Sequence, residues 1–311
     1  MIRWILLLLV LGAVLAGLLF PQLYRASEEQ RRTMCVQKLH NLSIGVTNYV
    51  DVNGEYPPAE GAHGNGVFMF IYPYVESHRW GQQSFATAAG PEFSTWLDPT
   101  AEVGSGPTWW SKTEAWRLAQ SQDARFICNS VDPKLSAAPL CVSSLHYTED
   151  GTAKLHALRT QAPGMCTYAG VAGANGYTGV EMYGERFGDF LQGVFGGDRN
   201  MSPSYVLDGT AQTLGLGEYL GRFDQSQGTW AVRGTWFSVQ NASSFRAPSA
   251  AEDAHWPYFS GPHPNATLFV DLSGSVRSVA HAIDADVFQA LCAIRDGTSV
   301  DVDANAPVVE Q

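Results

Sequence analysis

His263, with Asp208 or Asp271 and a serine such as Ser273, supplies the residue types of a hydrolytic triad, in which an imidazole takes the proton of an attacking hydroxyl. The chain has no G-x-S-x-G elbow, however, and Ser273 stands beside Gly274 in what reads as a hairpin turn, so no catalytic residue is assigned. His255, His263 and His281 lack the i, i+4 spacing of a helical metal pair. The stretch "RDGTSVDVDAN" offers Asp296, Asp301 and Asp303 as near-alternate oxygen ligands for calcium, but it lacks the distal Glu of an EF-hand. A solvated acidic tail is the simpler reading. The glycines of "DGTAQTLGLGE" are not followed by G-K-[ST], and they read as a turn leading into a strand rather than a phosphate loop. No cofactor is expected.

Cys35, Cys128, Cys141, Cys166 and Cys292 lie far apart with no C-x-x-C pair, a spacing that argues against zinc and allows one or two disulfides in an exported domain. Cys128 and Cys141 flank the loop "DPKLSAAPLC", which a disulfide would close, and Cys35 is the candidate for a thiol left unpaired. Trp109, Trp110, Trp230 and Trp236 could stack on sugars, or could simply fill the core of a β-rich domain. The net charge is −11, with no concentration of Lys and Arg to track a phosphate backbone, so nucleic acid is not an expected partner. With 45% hydrophobic residues in 311, the chain can bury a sizeable core.

The elements that must position these groups begin with a long helix. From Trp4 to Phe20 no polar side chain occurs. Arg3, the Leu-rich run and "VLAG" could form a secretory signal, yet the run approaches the ~20 residues that cross a bilayer, with Trp4 and Tyr24 at interfacial positions. An uncut anchor fits better, with the lipid bilayer as partner through residues 4–23. Beyond a bend expected at Pro21, the apolar positions Cys35, Leu39, Leu42, Val46 and Tyr49 recur every four and three residues, one stripe on a helix. The helix is expected from about Trp4 to Val50, on the order of 70 Å, with Gly54 as its stop. Thereafter "VFMFIYPYV", "RFICNS", "TLGLGEYLG" and "GTWAVRGTWFSV" read as strands, and "ATLFVDLSGSVRSVA" as a hairpin turning at Ser273-Gly274. Between Gly81 and Pro163 the pattern gives only loops and a short helix near Lys112 to Ala119. "DADVFQALCAIRDG" reads as a helix capped by Asp284 or Asp286.

Several segments together resemble the large pilin-like family, abundant in planctomycetes, that joins a pseudopilin-type helix to a β-rich domain of unknown function. They are "FPQLYRASEEQRRTMCVQKLHNLSIGVTNYVDVNGEYPP", which contains Pro21, Cys35, Tyr56, Pro57 and Pro58; "IYPYVES"; "FICNS" at Cys128, where the family tends to show Cys-Pro-Ser; and "YAGVAGANG". "LDGTAQTLGLGE" carries Asp208, Gly209, Thr210 and Glu218, and "GPHPNATLFVDLSGSVRSV" carries His263 and Gly274, with Ser273-Gly274 where Asp-Gly is usual. The likeness runs from Phe20 to about Val302. The family's Gly-Phe-Thr-Leu-Ile-Glu processing site is absent. The resemblance implies an α+β fold in which a long N-terminal helix, membrane-spanning in its first half, packs on a mainly antiparallel β domain. Residues 1–24 would form the anchor, 25–53 an amphipathic stalk, 54–298 the globular domain and 299–311 an acidic tail. The expected function is a membrane-anchored pilin- or pseudopilin-like structural or interaction protein, of the kind found in type IV pili and type II secretion. Its domain would lie outside the cytoplasmic membrane and meet other pilin-like subunits or envelope proteins. The alternative is a tethered module that binds glycan or cell wall.

Overall fold

The structure, a computed structural model, describes residues 2–75, 96–101, 105–131, 140–147, 153–159, 164–174, 191–196, 201–224, 226, 229–238, 241–255, 258–295 and 297; the side chains of 2–25, 140–147, 153–159, 223–224 and 229–232 are not described. Helix α1 (Ile2–Asn53) is longer at both ends than the periodicity indicates. Its stripe behaves as expected: Cys35, Leu39, Leu42, Val46 and Tyr49 are all buried. Gly54, at φ +78°, ends the helix, its N–H donating to Val50 O at 2.7 Å, a conformation that costs glycine little. The apolar run from Trp4 and the bend expected at Pro21 lie outside the described side chains. Among the described residues, no helix is long and apolar enough to cross a membrane.

The stripe is covered on one side by a sheet and on the other by α2 (Val67–Val75). The sequence "VFMFIYPYV" reads as a strand, and it is a helix. Val67 to Ile71 are all buried, and a helix enclosed on every side shows no polar face, so its sequence carries no period to distinguish it from a buried strand. α1 and α2 meet closely at Gly45, where a Cβ would stand 2.6 Å from Val75 Cγ2. "RFICNS" is likewise no strand. It forms a 3-10 turn at Ala124–Phe126, started by Asp123, whose carboxylate accepts from Arg125 N, followed by a turn through Cys128. The short helix α3 (Thr113–Ala119) falls where expected.

One mixed, mainly antiparallel sheet contains β1 (Leu140–Tyr147), β2 (Ala153–Arg159), β3 (Met165–Cys166), β6 (Arg222–Asp224) and β7 (Thr229–Thr235), in the order β2-β1-β7-β3 with β6 also paired to β7. The β1–β2 pair lies in the stretch read from sequence as loops. The second sheet has the order β12-β11-β5-β4-β8, from β4 (Tyr168–Gly173), β5 (Leu214–Glu218), β8 (Asn241–Ser243), β11 (Ala266–Asp271) and β12 (Val276–Ala280). β9 (Ser249–Ala250) and β10 (Ser260–Gly261) form a small parallel pair. Strand β11 is buried on both faces. Leu268 and Val270 join the core beneath α1, and Phe269 packs with Phe259, Phe288 and Leu291 beneath α4 (Ala285–Cys292). Asp284 caps α4 as expected, its carboxylate accepting from Asp286 N and Val287 N. The β11–β12 hairpin is also as expected, with Gly274 at φ +93°.

Candidate functional site: a disulfide and a histidine between two carboxylates

The chemistry-bearing residues meet where α1 crosses the end of β5. Glu28 and Cys35 stand seven residues apart on α1, two turns on one face. Cys128 follows the 3-10 turn, Glu218 ends β5, and His263 lies on the connection from β10 to β11. Cys35 and Cys128, 93 residues apart in sequence, form a disulfide. This corrects two expectations: Cys35 is not the unpaired thiol, and Cys128 does not pair with Cys141. Cys141 lies on β1 and its side chain is outside the described set. Cys166 and Cys292 are unbridged and buried, and burial pushes the Cys292 thiol far above its ordinary value.

Thr167 fixes the Cys128 side of the bond. Its Oγ1 accepts from Cys128 N at 2.7 Å, its own N–H donates to Phe126 O at 2.8 Å, and its carbonyl accepts from Tyr219 N at 2.8 Å. The residue therefore ties the 3-10 turn to the sheet just where the chain passes from β3 to β4. On the α1 side, Asn129 N donates to Cys35 Sγ at 3.0 Å, and Lys38 Nζ donates to Ile127 O at 2.7 Å and to Asn129 Oδ1.

His263 is 2% exposed and held from both ring nitrogens. Nδ1 lies 3.0 Å from Glu28 Oε1, and Nε2 lies 3.1 Å from Glu218 Oε1 and 3.6 Å from Cys128 Sγ. A neutral imidazole has one N–H, whereas carboxylates facing both nitrogens call for two. Burial pushes the His263 pKa down, but the contact and charge of Glu218, then those of Glu28, outweigh it and hold the pKa above the ordinary value. The imidazolium is the form the site selects. Burial likewise opposes the charge on Glu28, and hydrogen bonds from Ser130 Oγ, Arg31 and His263 overcome it, leaving this carboxyl below its ordinary value. Glu218 is fully buried. Its Oε2 accepts from Leu268 N at 2.9 Å, while its Oε1 has no aligned donor, His263 approaching it off-line. The sulfurs of Cys35 and Cys128, a Glu218 oxygen and a His263 nitrogen all lie within 4.8 Å of one another.

His263 thus has Glu28, Glu218 and Cys128 as its partners, in place of the imagined triad. Asp208 Oδ1 accepts from Gly297 N at 3.1 Å, and Gly209, at φ +92°, turns the chain there, with Thr210 exposed. Asp271 closes the β11–β12 turn: Oδ1 accepts from Ser273 N, Ser273 Oγ and Ser275 N, and Oδ2 pairs with Arg277 Nε at 3.0 Å. Of the motif positions, Cys35, Cys128, Glu218 and His263 converge. Tyr56, Pro57 and Pro58 are buried at the exit of α1, where Tyr56 N donates to Met201 O, and Gly274 occupies the hairpin turn. Asp296, Asp301 and Asp303 lie outside the described residues, as does the side chain of Pro21. The sugar-stacking platform does not form from Trp109 and Trp236. Both are fully buried, Trp109 against Phe237 and Trp236 stacked on Phe126 at 5.6 Å, while Trp110 is half-buried and the side chain of Trp230 is not described.

Glu28 is the site residue that sequence reasoning missed. Its signal was position: Glu28, Cys35, Leu42 and Tyr49 repeat every seven residues, which places an acid at the head of a stripe that must be buried.

No curated protein and no solved structure matches this chain. A family profile described as "Protein of unknown function (DUF1559)" matches residues 25–286. That span takes in the amphipathic half of α1 and every member of the cluster, and the chain belongs to the DUF1559 family.

Proposed function

We propose that this is a non-enzymatic, membrane-anchored, pilin-like structural or interaction protein of the pseudopilin kind. Residues 4–23 cross the cytoplasmic membrane once, and the β-rich domain lies outside. The observation that carries this reading is the burial of Cys35, Leu39, Leu42, Val46 and Tyr49 beneath the sheet and α2, on a helix that begins at Ile2. A helix seated in the domain over its second half and without a polar side chain from Trp4 to Phe20 has the build of an anchor continuous with its cargo domain. The disulfide and the His263 cluster supply what such a joint needs, a covalent and an ionic tie between α1 and the sheet. Two further observations favour a structural role over catalysis: the cluster's groups are turned on one another, and His263 is shut from solvent. Other pilin-like subunits or envelope proteins are the partners this reading names.

The test is intact-mass measurement of the protein extracted from membranes. The expected result is a chain that retains residues 1–24 and partitions with the membrane, its domain cleaved by protease added to the outer face. A soluble extracellular chain beginning near Gly17 overturns the proposal.

A further inference from the structure

We propose that the cluster joining α1 to the domain has a second form: with the disulfide reduced, Cys35, Cys128, His263 and Glu218 bind one zinc ion in a tetrahedral site. This goes beyond the structural role proposed above and does not depend on the membrane topology. Spacing along the chain does not point to zinc, because no two candidate ligands are close in sequence; the fold assembles them from α1, the turn after Phe126, β5 and the β10–β11 connection. Two sulfurs, a nitrogen and an oxygen are the donor types zinc takes, and the closed, four-protein-ligand set is that of a structural rather than a catalytic zinc.

The surroundings fit the ligand set. His263 presents Nε2 to Cys128 Sγ and Glu218 Oε1, and its Nδ1–H donates to the Glu28 carboxylate, the partner that fixes ring orientation in carboxylate–histidine–zinc arrangements. Glu218 Oε1 is a fully buried acceptor with no aligned donor, 3.1 Å from His263 Nε2. Asn129 N–H points at Cys35 Sγ, where it would stabilise a metal-bound thiolate. With metal–ligand bonds of ~2.0 to 2.3 Å, tetrahedral ligand atoms stand roughly 3.3 to 3.8 Å apart, so atoms already within 4.8 Å of one another need small side-chain rotations, chiefly the parting of the two sulfurs.

A dithiol reductant gives two electrons and two protons to the disulfide, leaving two cysteine thiols and its own cyclic disulfide. Zinc then replaces both thiol protons and the Nε2 proton, which pass to solvent, and Glu218 coordinates as the carboxylate it already is. A disulfide oxidant that takes two electrons from the zinc-bound thiolates and two protons from solvent, becoming a dithiol, restores the Cys35–Cys128 bond and expels the ion. The helix is held to the domain in either form, by a sulfur–sulfur bond in one and by metal in the other.

The experiment uses the full chain in detergent micelles. It is reduced anaerobically with a phosphine, which takes up oxygen from water as the disulfide becomes two thiols, and is then freed of excess reductant. Zinc is titrated against a coloured chelator, and cobalt is added in parallel as a spectroscopic probe. The expected result is one zinc per reduced chain, none per oxidised chain, and cobalt bands of a tetrahedral site with thiolate-to-metal charge transfer. Glu28→Gln, which removes the negative charge facing Nδ1, Arg31 and Ser130 but none of the four ligands, is expected to weaken zinc by about 10- to 100-fold, and His263→Ala by more. Reduced protein that binds no more zinc than oxidised protein overturns the proposal, as does undiminished affinity in His263→Ala. Where reduction itself loosens the domain, zinc is expected to restore its near-ultraviolet dichroism, and failure to restore it is equally fatal.

Discussion

Cys35→Ala/Cys128→Ala should lower stability by about 4 to 5 kcal/mol through the unfolded state alone. The bond joins residues 93 apart, and the entropy of closing a loop of that size in the denatured chain is of this order, against ~3 kcal/mol for the short loop that a Cys128–Cys141 pair would close. Loss of two buried sulfurs adds about 1 kcal/mol for the small voids left beside His263. Since domains of this size are stable by roughly 5 to 15 kcal/mol, the variant should stand near the edge of unfolding. The assay is urea unfolding of oxidised full-length chain and variant in the same micelles with a chelator present, followed by near-ultraviolet dichroism. The dependence on urea should steepen in the variant, because a chain without the crosslink exposes more surface when it unfolds. A loss below about 1 kcal/mol refutes the reasoning. So does a peptide map of the native protein in which Cys128 is joined to Cys141.

Three further outcomes are expected in the disulfide form. Glu218→Gln leaves the buried imidazolium with only Glu28 and should cost about 3 kcal/mol in urea unfolding, with the His263 pKa falling in an NMR titration; an unchanged His263 pKa contradicts the pairing. The pH dependence follows from two opposite shifts. His263 is raised above 6.5, so its contribution is complete below that pH and is lost as pH rises through the folded value, whereas Glu28 is lowered below 4.5 and its contribution is lost only as pH falls through that lower value. The stability difference between wild type and His263→Gln should therefore be largest between about pH 4.5 and 6.5 and shrink above it, and a difference that grows from neutral to alkaline pH contradicts the sign. Gly274→Val forces a β-branched residue to φ +93° against Ser43 Oγ and should destabilise by about 1 kcal/mol or more, read as a lower melting temperature; no change would mean the turn relaxes freely.

What was legible in the sequence was what local periodicity writes. The α1 stripe repeats at the helical spacing because one face meets the core and the other meets solvent, and the β11–β12 hairpin shows its turn because only a glycine sits easily at φ +93°. Asp284 was legible as a cap because its carboxylate acts on residues two and three further on. Helix α2 was not, since Val67 to Ile71 are buried on every side and carry no alternation of any period. Strands β1 and β2 escaped although they pair chiefly with each other and the five residues between them include Asp150-Gly151, a hairpin signal that was passed over; only Leu140 and Cys141 also pair with β7, some ninety residues away. The site was written only in the tertiary structure. Its half-cystines, histidine and carboxylates come from four separate elements, and a reading by spacing assigned Cys128 to a nearby partner and passed over Glu28.

Apolar contact is non-directional, and that limits what the α1 stripe can do by itself. Its buried positions are spaced by three and four residues, so sliding the helix by one turn, about 5.4 Å, would set Leu42 and Val46 near the places of Leu39 and Leu42 and keep much of the apolar surface covered. The polar contacts do not survive such a slide. Glu28 would leave His263 and Arg31 would carry its bond away with it; His40 Nδ1 would lose the Gly274 carbonyl at 3.0 Å, and Arg32 would lose Ser278 Oγ at 2.9 Å. An imidazolium deprived of Glu28 stays buried and half-paired, a cost of several kcal/mol that the slid helix could not recover from dispersion alone. The cluster and the hairpin contacts therefore fix the register of α1 on the sheet, and the disulfide ties that register covalently. For a helix that continues toward its N-terminus beyond the domain, register on the sheet decides where everything upstream of Glu28 is presented.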